Sequence, residues 1–221
     1  MMVGGLIVSV MTFSDDILLQ WADYAGTVVF AATGVLASTR KRMDIVGAIV
    51  LAIVTAVGGG TIRDLVSGQL PVFWIRQPNY LVIAAVTAVI VFIIIHLVRL
   101  PKNFLLLPDA VGLALYTWLG CEKARLMGLP EPAMILMGIV TGTAGGMIRD
   151  VLSAEIPFIL LKGELYAAAS AFGAIALVIC WHFGLTPFAS AAVCMSIVLL
   201  LRLAAIRWKI SLPSYTGKVQ Y

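Results

Sequence analysis

Charge is what this sequence has least of. Of its 221 residues only 12% are Asp, Glu, Lys or Arg, against 62% hydrophobic. So few charges cannot clothe a soluble domain of this size. Histidine occurs twice, at His96 and His182, near the ends of different apolar segments, which excludes a histidine-based metal cluster. Cysteine occurs three times, at Cys121, Cys180 and Cys194, with no C-x-x-C spacing. That excludes a disulfide framework or a zinc ribbon and leaves three small buried thiols. The glycines at 58–60 form neither G-x-G-x-x-G nor a phosphate loop, and no Ser-His-Asp order or catalytic carboxylate pair stands out. The chain is read as a non-enzyme that needs no cofactor. No Lys or Arg precedes the apolar start Met1–Phe13, and no small-residue cleavage site follows it. A secretory signal peptide is therefore not expected, and the start is read as a short extramembrane or interfacial lead-in.

What the sequence has in abundance is long apolar runs. Mean hydropathy is +1.05. The runs lack strand alternation and approach the roughly 20 residues that cross a bilayer core. A buried parallel sheet is the soluble alternative, and the run length argues against it. Seven segments are expected: Ile17–Ser38, Asp44–Ser67, Tyr80–Val98, Pro108–Met127, Pro130–Ala154, Glu164–Phe183 and Pro187–Ile206. The fold class is an all-α polytopic membrane protein, one membrane domain over 1–221, with residues 207–221 as a cytoplasmic tail. Net charge is +4, but the basic residues gather at segment ends. Membrane lipid, not nucleic acid, is the partner they imply. Trp21, Trp74, Trp118, Trp181 and Trp208 mostly fall near segment ends, as interfacial anchors do.

One stretch occurs twice. T-A-V-G-G-G-T-I-R-D at 55–64 returns as T-G-T-A-G-G-M-I-R-D at 141–150, an offset of 86 residues. The same offset pairs Asp23 with Asp109, Gly26 with Gly112, Gly34 with Gly120, Ser67 with Ser153, Pro71 with Pro157 and Tyr80 with Tyr166. No insertion is needed. Repeat one covers 17–98, repeat two 108–183, and a seventh helix, 187–206, is left over. Three spans per repeat is an odd number. The second repeat must therefore enter from the opposite side, giving an inverted 3+3 arrangement about an axis in the membrane plane.

Loop charges set an orientation. One side holds Arg40, Lys41, Arg42, Arg99, Lys102, Lys162, Arg202, Arg207, Lys209 and Lys218; the other holds Arg76, Lys123 and Arg125. The basic side is cytoplasmic, with the N-terminus outside and the C-terminus inside a cell inner membrane.

Glycine runs inside apolar helices favour a break. The second and fifth helices are expected to be broken at Gly58-Gly59-Gly60 and Ala144-Gly145-Gly146. Carbonyls freed there, with hydroxyls of Thr55, Thr61, Thr141 and Thr143, could line an ion path. The competing reading is close packing of small residues. Arg63-Asp64 and Arg149-Asp150 are charges inside spans. They serve either as electrostatic elements of a path or as pins on freed carbonyls. Adjacent helical positions point about 100° apart, so each Arg need not pair with its own Asp. Asp23 and Asp109 are read as helix N-terminal caps or dipole partners.

With these residues in hand, the chain resembles the prokaryotic trimeric intracellular cation (TRIC) channel family, also labelled a glycine transporter family. The resemblance spans about Ile17 to Ile206 and rests on G-G-G-T-I-R-D, A-G-G-M-I-R-D, Pro71 and Pro157. It implies a homotrimer with one pore per protomer and passage of monovalent cations, chiefly K+. By the same likeness Gly58, Gly59 and Gly60 match the bend of the second helix, and Ala144, Gly145 and Gly146 that of the fifth. Ala144 departs from the triple glycine. The alternative is a secondary transporter of glycine or another small solute, since inverted repeats serve both classes. A receptor or purely structural protein would have little use for two mid-membrane glycine runs.

Overall fold

The computed structural model describes residues 2–98, 101, 104–161 and 165–210, with backbone alone for 2–16. Among the described residues eight α-helices follow one another: α1 (Met2–Arg40), α2 (Ile45–Val66), the short α3 (Phe73–Arg76), α4 (Asn79–Leu97), α5 (Leu106–Leu126), α6 (Glu131–Leu152), α7 (Tyr166–His182) and α8 (Pro187–Trp208). A 3-10 turn, Phe158–Leu160, follows α6. No strand occurs among the described residues.

Local chemistry marks the ends. The Asp44 carboxylate accepts from the Gly47 amide at 2.7 Å and starts α2. Thr186 does the same for α8, where Pro187 stands at the first helical position. After α2 and α6 the chain turns left-handed at equivalent positions, Gly68 (φ 72°) and Ala154 (φ 51°).

Two expectations change. α1 begins at Met2, well before Ile17. More consequentially, α2 and α6 are not broken at their glycines: each is one continuous α-helix through Gly58-Gly59-Gly60 and Ala144-Gly145-Gly146. The glycines are satisfied by neighbours instead. A Cβ at Gly59 would lie 2.2 Å from the Thr141 carbonyl oxygen, and one at Gly145 would lie 2.5 Å from that of Thr55. Helix α2 crosses α6 with each glycine under the other's threonine carbonyl, too close for any side chain. Tertiary contact outweighs the weak intrinsic helix propensity of glycine.

The same exchange recurs outward. Gly34 would meet the Leu51 carbonyl at 2.8 Å and Gly120 that of Met137 at 2.7 Å. Gly26 sits against the Tyr116 ring and Gly112 against that of Phe30, so each half supplies the ring that covers the other's glycine. Helices α1, α2, α5 and α6 form the centre. α4 packs on α1 and α2 as α7 packs on α5 and α6, while α8 lies on α5 and α7.

The outside is apolar. Val82, Val86, Ile90 and Leu97 of α4, Phe172 and Ile179 of α7, and Phe188 and Leu200 of α8 are exposed. A continuous apolar coat of this kind is a lipid-facing surface. Among the described residues α2, α4, α6 and α8 are long and apolar enough to span a membrane, and α7 is a shorter apolar helix. α1 and α5 fall short because they bury polar side chains: Asp23, Thr27, Thr33 and Ser38 on one, Asp109, Thr117 and Glu122 on the other. Trp21 and Trp208 are exposed, but Trp118 is buried in the centre and is no anchor. All three cysteines are buried free thiols.

Polar contacts tie helix ends together. Lys41, after α1, meets Glu155, after α6, at 2.5 Å. His182, ending α7, meets Glu131, starting α6, at 3.0 Å. The topological charges Arg99, Lys102, Lys162 and Lys218, the start of the sixth segment at Glu164, and tail residues 211–221 lie outside the described residues.

Candidate functional site

On opposite sides of the crossing, each half builds a node of charge in its apolar interior: the first reaches the C-terminal end of α5 at Lys123, the second its start at Asp109. In the first, Arg63 does pair with its neighbour: Nε and Nη2 donate to Asp64 Oδ1 at 2.9 and 2.7 Å. The guanidinium arm is long enough to curl back across the angle between adjacent helical positions. Asp64 Oδ2 accepts the Phe73 amide at 2.8 Å, so the carboxylate caps α3. The Phe73 ring then lies beneath Arg63, 5.7 Å from its guanidinium carbon. Asp23 is no helix cap. It stands inside α1, accepts the Tyr80 hydroxyl at 2.9 Å, and forms an ion pair with Lys123 of α5.

The second node repeats the parts. Arg149 Nε donates to Asp150 Oδ1 at 2.9 Å, and Asp150 Oδ2 accepts the Phe158 amide at 3.0 Å. The Phe158 ring lies 5.2 Å from the Arg149 guanidinium carbon. Tyr166 donates to Asp109 Oδ1 at 3.3 Å. Here, however, Arg149 also reaches Asp109, with Nη1 at 2.7 Å from Oδ1. The outside cation is Arg202 of α8, whose Nη2 lies 4.0 Å from Asp109 Oδ2. Arg202 is counted above among the cytoplasmic charges; it is fully buried and carries no weight there.

Each node thus holds two carboxylates, two cations, a tyrosine and a phenylalanine. Five of the six come from the repeat. The sixth, Lys123 or Arg202, comes from outside it. Access differs as well: the Lys123 side chain is 22% exposed, whereas Arg149, Asp109 and Arg202 are 0% exposed.

The threonines hydrogen-bond within their own helices. Thr55 donates to the Leu51 carbonyl and Thr141 to that of Met137, both at 2.6 Å. Thr61 donates to Val57 at 2.7 Å and accepts the Trp74 indole at 2.9 Å, while Thr143 donates to Ile139 at 2.8 Å. Gly58 meets Ile148, Gly60 meets Phe73, Gly146 meets the Tyr166 hydroxyl, and Ala144 is buried. No group of His, Cys, Asp and Glu among the described residues is placed to hold a metal.

Sequence reasoning singled out the Arg-Asp pairs and did not place Asp23, Asp109, Tyr80 and Tyr166 in the same nodes. The signal was present, since all four keep the 86-residue register. Lys123 and Arg202 leave no such trace. Phe73 and Phe158 fall one residue out of register: Phe73 stands two residues after Pro71, and Phe158 one residue after Pro157.

A family described as "Glycine transporter" matches this chain twice, over residues 20–96 and 106–182. The chain belongs to the glycine transporter family. Both ends of the second match lie 86 residues beyond the first (20 to 106, 96 to 182), the offset of the repeat. Curated relatives include the UPF0126 inner membrane protein YadS of Escherichia coli K12, 44% identical over 90% of this chain and 96% of that one. A UPF0126 membrane protein of Vibrio cholerae is 43% identical over 92% of this chain and 85% of its own. Among solved structures, the TRIC trimeric intracellular cation channel orthologue from Rhodobacter sphaeroides superposes with a TM-score of 0.83 at 39% identity, covering 87% of this chain and 99% of that one. A prokaryotic TRIC channel solved in 0.5 M KCl gives 0.80 at 30% identity, covering 89% and 99%. The likeness to TRIC channels expected from the repeated motifs is thereby shown for this family member.

Proposed function

We propose that the protein is a passive monovalent-cation channel, conducting K+ through one pore in each protomer of a homotrimer in the inner membrane. The observation that carries this reading is the near-complete structural likeness to the Rhodobacter sphaeroides TRIC channel. The proposed arrangement is seven membrane spans, α1, α2, α4, α5, α6, α7 and α8, as two inverted three-helix repeats plus α8. The reciprocal contacts between Gly59 and Thr141, and between Gly145 and Thr55, support it, being what a two-fold axis between the halves produces.

The proposed path passes beside the crossing, along Thr55, Gly58, Gly59, Gly60, Thr61, Thr141, Thr143, Ala144, Gly145 and Gly146. Without freed carbonyls, its ion contacts are hydroxyl oxygens. Arg63, Asp64, Arg149 and Asp150 set its field. Each node is neutral in formal charge, which offsets the cations that would otherwise oppose cation passage.

The orientation proposed is N-terminus outside and C-terminus cytoplasmic, on the charge bias that remains once Arg202 is removed. A cysteine placed beside Arg40 labels from the cytoplasm alone; labelling from outside would overturn it.

The family description favours a second reading, a secondary transporter of glycine or another small solute. Purified protein in a planar bilayer separates the two. A KCl gradient gives unitary currents reversing toward the K+ potential if the channel reading holds. Saturable glycine uptake without unitary currents would sink it.

A further inference from the structure

Arg202 occupies a place that nothing in the repeat provides for. It is a charge in the inner part of the otherwise apolar α8, and it is completely buried. Its guanidinium carbon lies 4.8 Å from the centre of the Tyr166 ring, so an aromatic face and a carboxylate flank it together.

Asp109 is one of the groups that face it. Its Oδ1 is saturated by Arg149 at 2.7 Å and Tyr166 at 3.3 Å. Its Oδ2 is fully buried and accepts no hydrogen bond. What faces that oxygen is the Arg202 guanidinium at 4.0 Å, beyond hydrogen-bond reach and within ion-pair reach. An unpaired buried anionic oxygen is costly, and an aromatic ring near it adds attraction for a cation placed between them. Among the described residues Asp109, Asp150 and Arg149 sum to a formal charge of minus one, and Arg202 is the further cation beside them.

We propose that Arg202 is a tethered occupant of a monovalent-cation site on Asp109 Oδ2, and that K+ or Na+ takes its place when the guanidinium is removed. The tether excludes mobile cations from the second node. The first node, whose Lys123 reaches the surface, keeps the water-accessible charge. That functional consequence rests on the conduction reading, but the site itself does not.

The test is thermal unfolding of the full chain in detergent, in KCl, NaCl or choline chloride at equal ionic strength. Wild-type protein unfolds at the same temperature in all three salts. Arg202→Gln should unfold about 3–8 °C higher in KCl or NaCl than in choline chloride, the shift of a bound small ion. R202Q/D109N should lose that difference, and Arg202→Lys should behave as wild type. Recovery of the double variant where R202Q alone fails to fold even in KCl or NaCl would overturn the proposal, because Asp109 would then be left without the replacing cation. Equal unfolding temperatures for R202Q in all salts would overturn it. So would a K+ dependence that survives Asp109→Asn, or failure of both variants to fold, which would make Arg202 a packing element. Because the readout is stability, the proposal can fail while the protein conducts, and hold while it does not.

Discussion

The first node reaches water and the second does not, although the chain writes nearly the same ten residues into both. In the first, Arg63 serves one carboxylate, Asp64, while Lys123 serves Asp23. In the second, Arg149 bridges Asp109 and Asp150, and Arg202 stands further off. Duplication therefore supplied the parts, and helices outside each repeat decided their connectivity. The lysine is paired with Asp23 and lies over the Phe73 ring, with its side chain 22% exposed. The arginine is locked between a ring and a carboxylate, where a planar, weakly hydrated cation suits a dry site.

The most severe way to break this comparison is to remove each central arginine. Arg149→Met strands two buried carboxylates and is predicted to cost about 3–5 kcal/mol, enough to abolish recovery of folded protein. Arg63→Met strands one, and Asp64 keeps the Phe73 amide, so a cost of about 1–3 kcal/mol is predicted. Yield and unfolding temperature in detergent measure both. Equal losses would mean that the two nodes are equivalent after all.

The crossing should show the opposite behaviour, symmetry. Gly59→Ala and Gly145→Ala each push a methyl group into a threonine carbonyl on the facing helix. Each is predicted to cost about 1–3 kcal/mol by overpacking, with loss of flux in parallel. A tolerated Gly145→Ala beside a disabled Gly59→Ala would show that the contacts are not reciprocal.

A smaller test uses the left-handed stops. Ala154 holds φ 51° where the first half has Gly68 at φ 72°. Ala154→Gly should stabilise by about 0.5–1 kcal/mol, and Gly68→Ala should destabilise by a similar amount. Shifts of the same sign in unfolding temperature would refute the equivalence.

The smallest effect concerns the clasp between the halves at Lys41 and Glu155. The Lys41 ammonium holds the Glu155 carboxyl below its ordinary value of 4.5. A carboxyl depressed in the folded state adds stability above its unfolded pKa and loses it as pH falls through the folded one. Wild-type protein should therefore be slightly more stable than Glu155→Gln near neutrality, and the gap should close as pH drops below 4.5. The pair is surface-exposed, so high salt should shrink the gap too. A gap that widened in acid would give the contact the wrong sign.

Much of this design is legible in the sequence because duplication writes it twice. The register of Arg63 with Arg149 and Tyr80 with Tyr166 marks residues that face equivalent surroundings. The glycines were legible as special positions but not as to why. Read alone, three glycines in a row are a weak helix. Only the facing carbonyl of Thr141 or Thr55 shows that they are contact points in a continuous one. Lys123 and Arg202 were hidden for a different reason. Their role depends on which helix packs beside which, and neither periodicity nor register encodes that. Arg202 in particular looks like one more charge near the cytoplasmic end of an apolar segment until its depth is known.

The outside origin of those two cations also imposes an order on synthesis. As the chain leaves the ribosome, the first node has Asp23, Arg63 and Asp64 in place while still one positive charge short, and it stays so until α5 brings Lys123. The second node is short in the same way until α8, the helix that follows its repeat, delivers Arg202. Neither half is charge-balanced when its own three long helices are complete. Each waits for the helix that follows, so the bundle closes in sequence, from the first node to the second, and a chain released before α8 would leave an unbalanced acid at its centre.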